Sequence, residues 1–387
     1  MDNNQQSINL HREWRGKIEL RNKVPLATDA DLALAYTPGV AAVSSAIAQD
    51  SRRSWELTNR ANQVAIISDG TAVLGLGDIG PEAAMPVMEG KAAIFKEFAG
   101  LDAIPLCLRE KDTEAIIKFC RQIEPSFAGI NLEDIAAPRC FEILSRLETE
   151  LSIPVFHDDQ DGTAIVVLAA LVNALKLTSR QKEEMKVVVN GAGAAGIATT
   201  RLLLSYGVSN IIILDSRGII STERSDLDAA KKDLAVKTNT NKVSGDLAVA
   251  LEGADVFVGL SKGNLVTAEM VSSMNKGAII FAMANPTPEI MPDLAKQAGA
   301  LIVGTGRSDF ANQINNALVF PGMFKGLLTY HIKDVTVAMK ISVAEAIAAV
   351  VEPQHNYLLP KVMDKKVVGA IVEAIAEFKP AAISAPS

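Results

Sequence analysis

The chain has 387 residues, of which 49% are hydrophobic and 21% are charged, and its formal net charge is −7. This length allows two or three domains, and this composition is typical of a globular protein and excludes an intrinsically disordered one. The acidic balance, without any basic block, argues against a nucleic-acid partner.

The cellular location is predicted from three features of the sequence. The first residues, MDNNQQSINLHREWRGK, are polar and lack the apolar core of a secretory signal. The longest apolar stretch, Ala164–Val172, is shorter than the roughly 18 residues of a membrane span. Three cysteines, Cys107, Cys120 and Cys140, form neither a C-x-x-C pair nor an even set. We therefore expect a cytoplasmic protein with reduced thiols and without a membrane partner.

Residues 1–60 are predicted to be helical and irregular, with one unusual piece around Tyr36. The dipeptide Pro38-Gly39 is a strong turn signal, and it would fix Tyr36 at the mouth of a turn. Such a position suits either a functional residue or a half-buried tyrosine beside a loop. The local pattern leaves both interpretations open.

A hairpin and a long helix are expected next. The pattern predicts a strand over Asn62–Ser68, a tight turn at Asp69-Gly70 and a partner strand over Ala72–Leu76. A glycine-rich loop then leads to a helix over Glu82–Ala99, which contains Lys91. Lys91 has apolar neighbours on adjacent turns, so its stem could lie against the core, although most such lysines are solvated.

From residue 100 onward, strands alternate with helices. Strands are predicted over Ala103–Cys107, Phe127–Asn131 and Ile153–Phe156, with helices over Thr113–Ile123 and Pro138–Thr149. Alternation of this kind indicates parallel strands joined by right-handed crossovers. Ligands of such sheets bind beyond the carboxyl ends of the strands.

Two pairs of carboxylates follow successive strands of this predicted sheet. Glu133-Asp134 comes after the second strand and Asp158-Asp159 after the third. If these strands are neighbours, four acids converge on one edge, where they would form an oxygen-rich site for Mg²⁺ or Mn²⁺. The alternative is an acidic loop whose Asp161 or Thr163 caps the next helix, which begins near Ala164.

The second half of the chain carries a dinucleotide fingerprint. A strand over Met185–Asn190 precedes the glycine-rich turn, a helix runs to Tyr206 with Gly207 as its cap, and the strand Ile211–Leu214 ends at Asp215. This context supports dinucleotide binding, with the pyrophosphate on the helix N-terminus and the ribose on Asp215. The residues predicted to contact the cofactor in the turn are Gly191, Gly193, Ala194, Ala195 and Gly196.

The remaining elements extend this sheet and end in helices. Strands are predicted over Val256–Gly259, Ala278–Ala282 and Leu301–Val303, and helices over Val335–Val351 and Val362–Phe378. Asn285 and Asn316 lie in loops beside these elements, where asparagine is also a common turn former. The chain is therefore an α/β protein, with an N-terminal parallel-sheet domain over 1–160, a doubly wound Rossmann domain over 161–330 and C-terminal helices over 331–387.

Together these stretches resemble the short bacterial malic enzymes over nearly the whole chain. The similar segments are AYTPGVA, SDGTAVLGLGDIGP, MPVMEGKAAIFKEFAG, INLED, VFHDDQDGTA, GAGAAG, MANPTPE and NQINNALVFPG. The resemblance implies a general acid at Tyr36, a general base at Lys91 and an acid beside that base at Asp158. It also implies metal ligands at Glu133, Asp134 and Asp159, a substrate-binding residue at Asn316, and one at Asn285 that also contacts the cofactor.

Three positions depart from the family pattern. Asp161 stands where a histidine is usual, Asp78 stands where the short enzymes carry asparagine, and Ala72 stands where long eukaryotic relatives place a substrate-binding arginine. The resemblance also implies a homodimer or a larger homo-oligomer. How the chain binds the second substrate carboxylate is left open.

The implied reaction is the metal-dependent oxidative decarboxylation of malate to pyruvate and CO₂, with reduction of NAD(P). A soluble oxaloacetate decarboxylase or malolactic enzyme needs the same residues, and a non-catalytic dinucleotide sensor is a remote alternative. For the cofactor, Asp215 favours NAD because it would repel a 2′-phosphate. Arg217, two residues later, could instead pair with that phosphate, so NADP stays possible.

Overall fold

A computed structural model describes residues 3–73 and 75–380 of the chain. Its N-terminal segment contains short helices, as the sequence predicted, and these helices lie on the surface. They are α1 (Asn3–Trp14), α2 (Asp29–Ala35), α3 (Val40–Gln49) and α4 (Ser54–Leu57). Helix α2 begins with a capping box, because the Thr28 hydroxyl and the Asp31 carboxylate each accept a backbone N–H.

The first sheet is wholly parallel and has the strand order β2-β1-β3-β4. Its strands are β1 (Gln63–Ser68), β2 (Asp102–Cys107), β3 (Gly129–Leu132) and β4 (Val155–His157). Its crossover helices are α5 (Pro81–Ile94), α6 (Thr113–Ile123) and α7 (Arg139–Glu150), and a π-helical turn (Phe95–Ala99) extends α5. The parallel alternation predicted from residue 100 onward is therefore confirmed.

The predicted hairpin strand over Ala72–Leu76 is wrong. Strand β1 is paired on both sides by parallel neighbours, so no edge remains for an antiparallel partner. The described part of this segment forms a turn with a single bridge between Val73 and Gly77, and residue 74 lies outside the described residues. Gly70 and Gly77 have positive φ values of 68° and 77°, which favour a looped chain over an extended one.

Helix α8 (Thr163–Thr178) links the two halves of the molecule and is buried along most of its length. With the π-helical turn that precedes it, Asp158–Thr178 is apolar and long enough to span a membrane, but most of it is enclosed by the protein, as in a core helix. The segment Asp29–Gln49 passes the same test of length and composition, and none of it is buried.

The second sheet has the order β10-β9-β8-β5-β6-β7 and is parallel except for β7. Its strands are β5 (Lys186–Asn190), β6 (Asn210–Asp215), β7 (Gly218–Ile219), β8 (Val256–Gly259), β9 (Ile279–Ala282) and β10 (Ile302–Thr305). The helices are α9 (Ala194–Tyr206), α10 (Ala229–Lys237), α11 (Leu247–Leu251), α12 (Ala268–Ser272) and α13 (Pro292–Gln297). The order in which strands are added reverses at β5: β6 and β7 lie on one side of it, and β8, β9 and β10 lie on the other. Rossmann folds bind dinucleotides at this point of the sheet.

The last helices are α14 (Phe320–Thr329), α15 (Val337–Ala349) and α16 (Lys366–Ala376). Helix α14 packs into the first-sheet core, where its Phe320 and Phe324 rings lie 4.8 and 5.4 Å from that of Phe95. One continuous buried core contains residues from all three predicted segments. The domain boundaries at 160 and 330 stay a prediction.

Candidate active site

The two carboxylate pairs leave the first sheet side by side. Strands β3 and β4 are hydrogen-bonded neighbours, and their last residues are partners in the register. One oxygen from each of Glu133, Asp134 and Asp159 therefore lies within 4.8 Å of the other two. Three carboxylates at this separation repel one another unless a cation lies among them, and their hard oxygen atoms suit Mg²⁺ or Mn²⁺.

Hydrogen bonds hold these acids in place. The Asp134 N–H donates to Asp159 Oδ2 at 2.8 Å, and the Asn131 amide donates to Glu133 Oε2 at 3.0 Å. Asp134 has a φ of 53°, a left-handed conformation that is uncommon for a residue with a side chain. This strained backbone conformation directs the Asp134 carboxylate towards the other acids, and such strain is typical of functional sites.

Lys91 extends from α5 into the same cluster. Its Nζ lies 2.8 Å from Glu133 Oε2 and forms a second, shorter ion pair with Asp158. The ammonium group also lies 4.2 Å from the centre of the Phe320 ring, and the side chain is only 8% exposed. Lys91 is therefore a buried lysine with fixed partners and not the solvated residue that most helical lysines are.

The electrostatics of the cluster are dominated by burial and by surplus negative charge. Burial lowers the pKa of Lys91, but the charges of Asp158 and Glu133 more than offset this, so its pKa is raised. Burial, joined by the charges of neighbouring acids, raises the pKa of Glu133 and Asp158. Burial also raises the pKa of Asp159, although Lys91 opposes the shift. A divalent cation would stabilise the ionised carboxylates and weaken the hold on the Lys91 proton.

A cavity of about 370 Å³ opens beside the cluster, between the two sheets. Its polar lining comes from both halves of the chain and consists of Lys91, Glu133, Asp134, Asp159, Thr163, Ser261, Asn285, Asn315 and Asn316. Among the described residues that line it, Lys91 is the only cation, and Ala72 occupies the wall near the carboxylates. The volume suits a small molecule, and the three asparagine amides can donate hydrogen bonds to it.

The glycine-rich turn borders this cavity through Ala195. Gly191 has a φ of 122°, and a Cβ atom there would lie 2.4 Å from the Leu260 carbonyl oxygen. A Cβ atom at Gly196 would lie 1.6 Å from the Gly191 oxygen, so both positions require glycine. Nothing lies within 4 Å of a Cβ built at Gly193, where the chain is open for a pyrophosphate at the start of α9.

Both parts of the chain match family models for the malic enzymes. The malic enzyme N-terminal domain matches residues 15–148, and the malic enzyme NAD binding domain matches residues 160–379. The chain belongs to the malic enzyme family.

Malic enzymes from several bacteria are similar to the chain. It is 52% identical to an NAD-dependent malic enzyme of Geobacillus stearothermophilus over 94% of its own length and 76% of the relative's. It is 50% identical to a bifunctional malic/malolactic enzyme of Bacillus subtilis, over 96% and 92% of the two chains. The crystal structure of an NAD-dependent malic enzyme from Thermotoga maritima superposes with a TM-score of 0.92 at 50% identity, over 95% and 98% of the two chains.

The chain does not bring Tyr36, the predicted general acid, to the cavity. It ends α2, its surface is 66% exposed, and it is absent from the described residues that line the cavity. Leu32, Leu34, Val40 and Val43 around it are also exposed. Tyr36 therefore lies on an exposed apolar surface.

Asp215 lies at the end of β6, next to the glycine-rich turn, but its surroundings differ from those expected. Arg224 and Lys231 pair with its carboxylate, whereas the Arg217 side chain pairs with Asp226. Arg224 and Lys231 follow Asp215 by 9 and 16 positions and were not predicted from the sequence. No local pattern indicated their role, because only the packing of α10 and the preceding loop brings them to β6.

The departure at Asp161 has a similar structural explanation. Its Oδ1 pairs with Lys340 of α15 at 2.7 Å, in a buried contact between distant parts of the chain. Asp78 pairs with Lys111 at 2.7 Å on the surface. Both acids therefore take part in ion pairs, and neither contributes to the described lining of the cavity.

Proposed function

We propose that this malic enzyme family member catalyses the metal-dependent oxidative decarboxylation of malate to pyruvate and CO₂, with reduction of NAD(P). The observation that carries the proposal is the buried Lys91 ammonium between Glu133 and Asp158, at a cavity that also contains Ala195 of the dinucleotide turn. A base and a hydride acceptor at one cavity are what oxidation of a 2-hydroxy acid requires.

The residues of the chain have distinct roles in this proposal. Glu133, Asp134 and Asp159 would hold the divalent ion, which supplies a Lewis acid for the substrate oxygens and positive charge near Lys91. Neutral Lys91 would take the proton of the C2 hydroxyl, and the nicotinamide of a bound dinucleotide would supply the hydride acceptor for C2. Asp158 keeps the amine oriented and stabilises its protonated form.

The substrate carboxylates need partners other than an arginine. Asn285 and Asn316 line the cavity and offer amide N–H groups. Such hydrogen bonds are stronger where water is excluded from the cavity. Loss of CO₂ leaves an enolate, and its C3 must then receive a proton from an acid such as Tyr36.

A malolactic reaction is the second candidate, because the Bacillus subtilis relative is described as a bifunctional malic/malolactic enzyme. Supplying malate, Mn²⁺ and either NAD or NADP, and identifying the product, separates the two. Reduced cofactor and pyruvate in equal amounts support the proposal. Lactate without net cofactor reduction favours the second candidate, and no turnover of malate or oxaloacetate contradicts both.

The exposed position of Tyr36 supports a homodimer whose active site is shared. The apolar surface of α2 and α3 carries Tyr36, and burial of that surface against a second copy would remove it from water. In this proposal the tyrosine of one copy protonates the enolate held by the other.

Mixed dimers test this arrangement. Tyr36→Phe and Lys91→Ala chains are each expected to form inactive dimers. If Tyr36 crosses to the other copy, a mixed dimer contains one intact site and recovers about half of the wild-type activity per dimer. No recovery in purified mixed dimers would place Tyr36 in its own chain's site. A monomer that binds lipid vesicles would contradict the dimer.

The three cysteines are free in the structure, which supports the proposed cytoplasmic location. The natural substrates are small molecules, and the acidic chain offers nothing that favours a nucleic acid.

A further inference from the structure

The ribose end of the dinucleotide groove is occupied by an ion-pair network centred on Asp215. The Gly191 N–H donates to the carbonyl of Leu214 at 2.9 Å, so Asp215 follows directly where the glycine turn meets β6. The dinucleotide fingerprint predicts that the Asp215 carboxylate accepts hydrogen bonds from the ribose hydroxyls. That role requires lone pairs that are free to accept them.

All the acceptor positions of Asp215 are already used. Its Oδ1 accepts the Arg217 N–H at 3.0 Å and Arg224 Nη1 at 2.7 Å. Its Oδ2 accepts Arg224 Nη2 at 3.1 Å and Lys231 Nζ at 2.9 Å. A carboxylate offers about four lone-pair positions. A ribose hydroxyl can therefore bond Asp215 only by displacing one of these donors.

The two cations have further support that does not depend on Asp215. Arg224 donates through Nε and Nη2 to Asp226 at 3.0 and 2.7 Å, and through Nη1 to the Gly218 carbonyl at 3.2 Å. Lys231 lies in the first turn of α10, which is fixed by an Asp228 cap on its own N–H. Both groups would therefore remain at the groove if their bonds to Asp215 were exchanged for bonds to a ligand.

This network changes the charge that a cofactor meets. Arg217, Arg224 and Lys231 together offset the three acids with which they form ion pairs, Asp215, Asp226 and Asp228. The repulsion that an isolated aspartate exerts on a 2′-phosphate is thus cancelled locally. Bidentate arginine and a lysine ammonium are also the donors that bind phosphate best.

We propose that Arg224 and Lys231 determine cofactor choice and allow the ribose end of the groove to accept NADP as well as NAD. The 2′-phosphate of NADP replaces Asp215 as the partner of Lys231 and of one edge of the Arg224 guanidinium. With NAD, a ribose hydroxyl displaces one of the donors that form the longer hydrogen bonds to Asp215, the Arg217 N–H or Arg224 Nη2. The inference rests on the proposed use of this groove for a dinucleotide.

Binding without redox chemistry gives the sharpest test. ADP-ribose and its 2′-phosphate differ only by the group in question, and neither carries a nicotinamide. Calorimetry on the wild-type protein should give dissociation constants for the two probes within about tenfold of each other. Lys231→Gln should weaken the phosphorylated probe by about tenfold or more, the loss of one charge-assisted hydrogen bond, and ADP-ribose by less than about threefold.

The neighbouring lysine supplies the matched control. Lys232 is exposed and follows Lys231 directly, so Lys232→Gln makes the same change in net charge and should leave both affinities unchanged. Arg224→Gln should act like Lys231→Gln, with a thermal melt to confirm folding. If that variant fails to fold, Lys231→Gln alone carries the test.

Three results would overturn the inference, and they differ in what they say about the proposed function. Wild-type protein that binds ADP-ribose but binds its 2′-phosphate a hundredfold more weakly, or an unchanged ratio in Lys231→Gln, contradicts the role of the cations and leaves the proposed function intact. Failure of the folded wild-type protein to bind either probe removes the dinucleotide groove, and with it both proposals.

Discussion

Two acid-bearing strand ends of this molecule look alike in sequence and differ in charge balance. At the ends of β3 and β4, four buried or half-buried carboxylates face one cation, Lys91. At the end of β6, Asp215 is matched by cations from the loop and helix that follow it. Both lie at the carboxyl ends of parallel strands, where ligands of such sheets bind.

The difference indicates what each end can bind. Surplus negative charge in a buried place is costly, and a divalent cation is the ligand that relieves it. At the end of β6 the charges are balanced, so no metal is required there. The ion pairs of Asp215 can be exchanged for bonds to the hydroxyls or the phosphate of a nucleotide. A strand-end aspartate is therefore defined by its partners as much as by its position.

The largest expected effect comes from removing the single cation of the first end. Lys91→Ala should lower kcat for malate oxidation by about 10²–10⁴-fold, because the general base is lost. Lys96→Ala, an exposed lysine of the following turn, is the control and should change kcat little. Steady-state kinetics with both variants decides the point. Equal kcat values for Lys91→Ala and the wild type would show that another residue is the general base.

Burial at the same end also predicts how stability depends on pH. Burial lowers the pKa of His157, which precedes Asp158, from 6.5 to about 4. The folded state then takes up this proton less readily than the unfolded state, so stability is lost as the pH falls from about 6.5 towards 4. At about 1.4 kcal/mol per pKa unit, the loss is roughly 3 kcal/mol.

Denaturant unfolding at pH 7 and pH 4.5 measures this effect. His157→Gln cannot titrate, so it should lose less stability than the wild type over this range. The control is His355→Gln at an exposed position, which should behave like the wild type. A His157→Gln variant with the same acid sensitivity as the wild type would show that His157 is not the cause.

The smallest expected effect separates two asparagines of one loop. Asn316 lines the cavity, and Asn316→Ala should raise KM for malate about tenfold, as expected when a hydrogen bond to a charged group is lost. Asn312 instead donates to the carbonyls of Val303 and His355 and accepts the Leu358 N–H. Asn312→Ala should therefore lower Tm and leave KM near the wild-type value. A raised KM in Asn312→Ala with an unchanged KM in Asn316→Ala would show that Asn312, and not Asn316, binds the substrate.

Parts of this account could be predicted from the sequence because they depend on local order. The carboxylate pairs directly follow their strands, so a parallel sheet alone brings them together. Glycine at 196 is needed because of a backbone contact with Gly191 within one turn. The family resemblance supplied the implied roles of Lys91 and Tyr36.

Other parts depend on packing that no local pattern encodes. The partners of Asp215 follow it by 9 and 16 positions, and the packing of α10 and its preceding loop brings them to it. Lys340 follows Asp161 by 179 positions and reaches it through the packing of α15. The segment 72–76 has the composition of a strand, but β1 already has two neighbours. Tyr36 lies on a surface that no described residue of the chain covers, which the turn signal at Pro38-Gly39 does not indicate.

Direct Mn²⁺ binding tests the central claim, that the surplus acids of the first end hold a divalent cation and the balanced acid of the second does not. Free Mn²⁺ measured by electron paramagnetic resonance should show one tight site per chain in the wild type. Asp159→Asn should weaken that site by tenfold or more, and Asp215→Asn, the same change at the other end, should leave it intact. Equal Mn²⁺ affinity in Asp159→Asn and the wild type, or loss of the site in Asp215→Asn, would contradict the account.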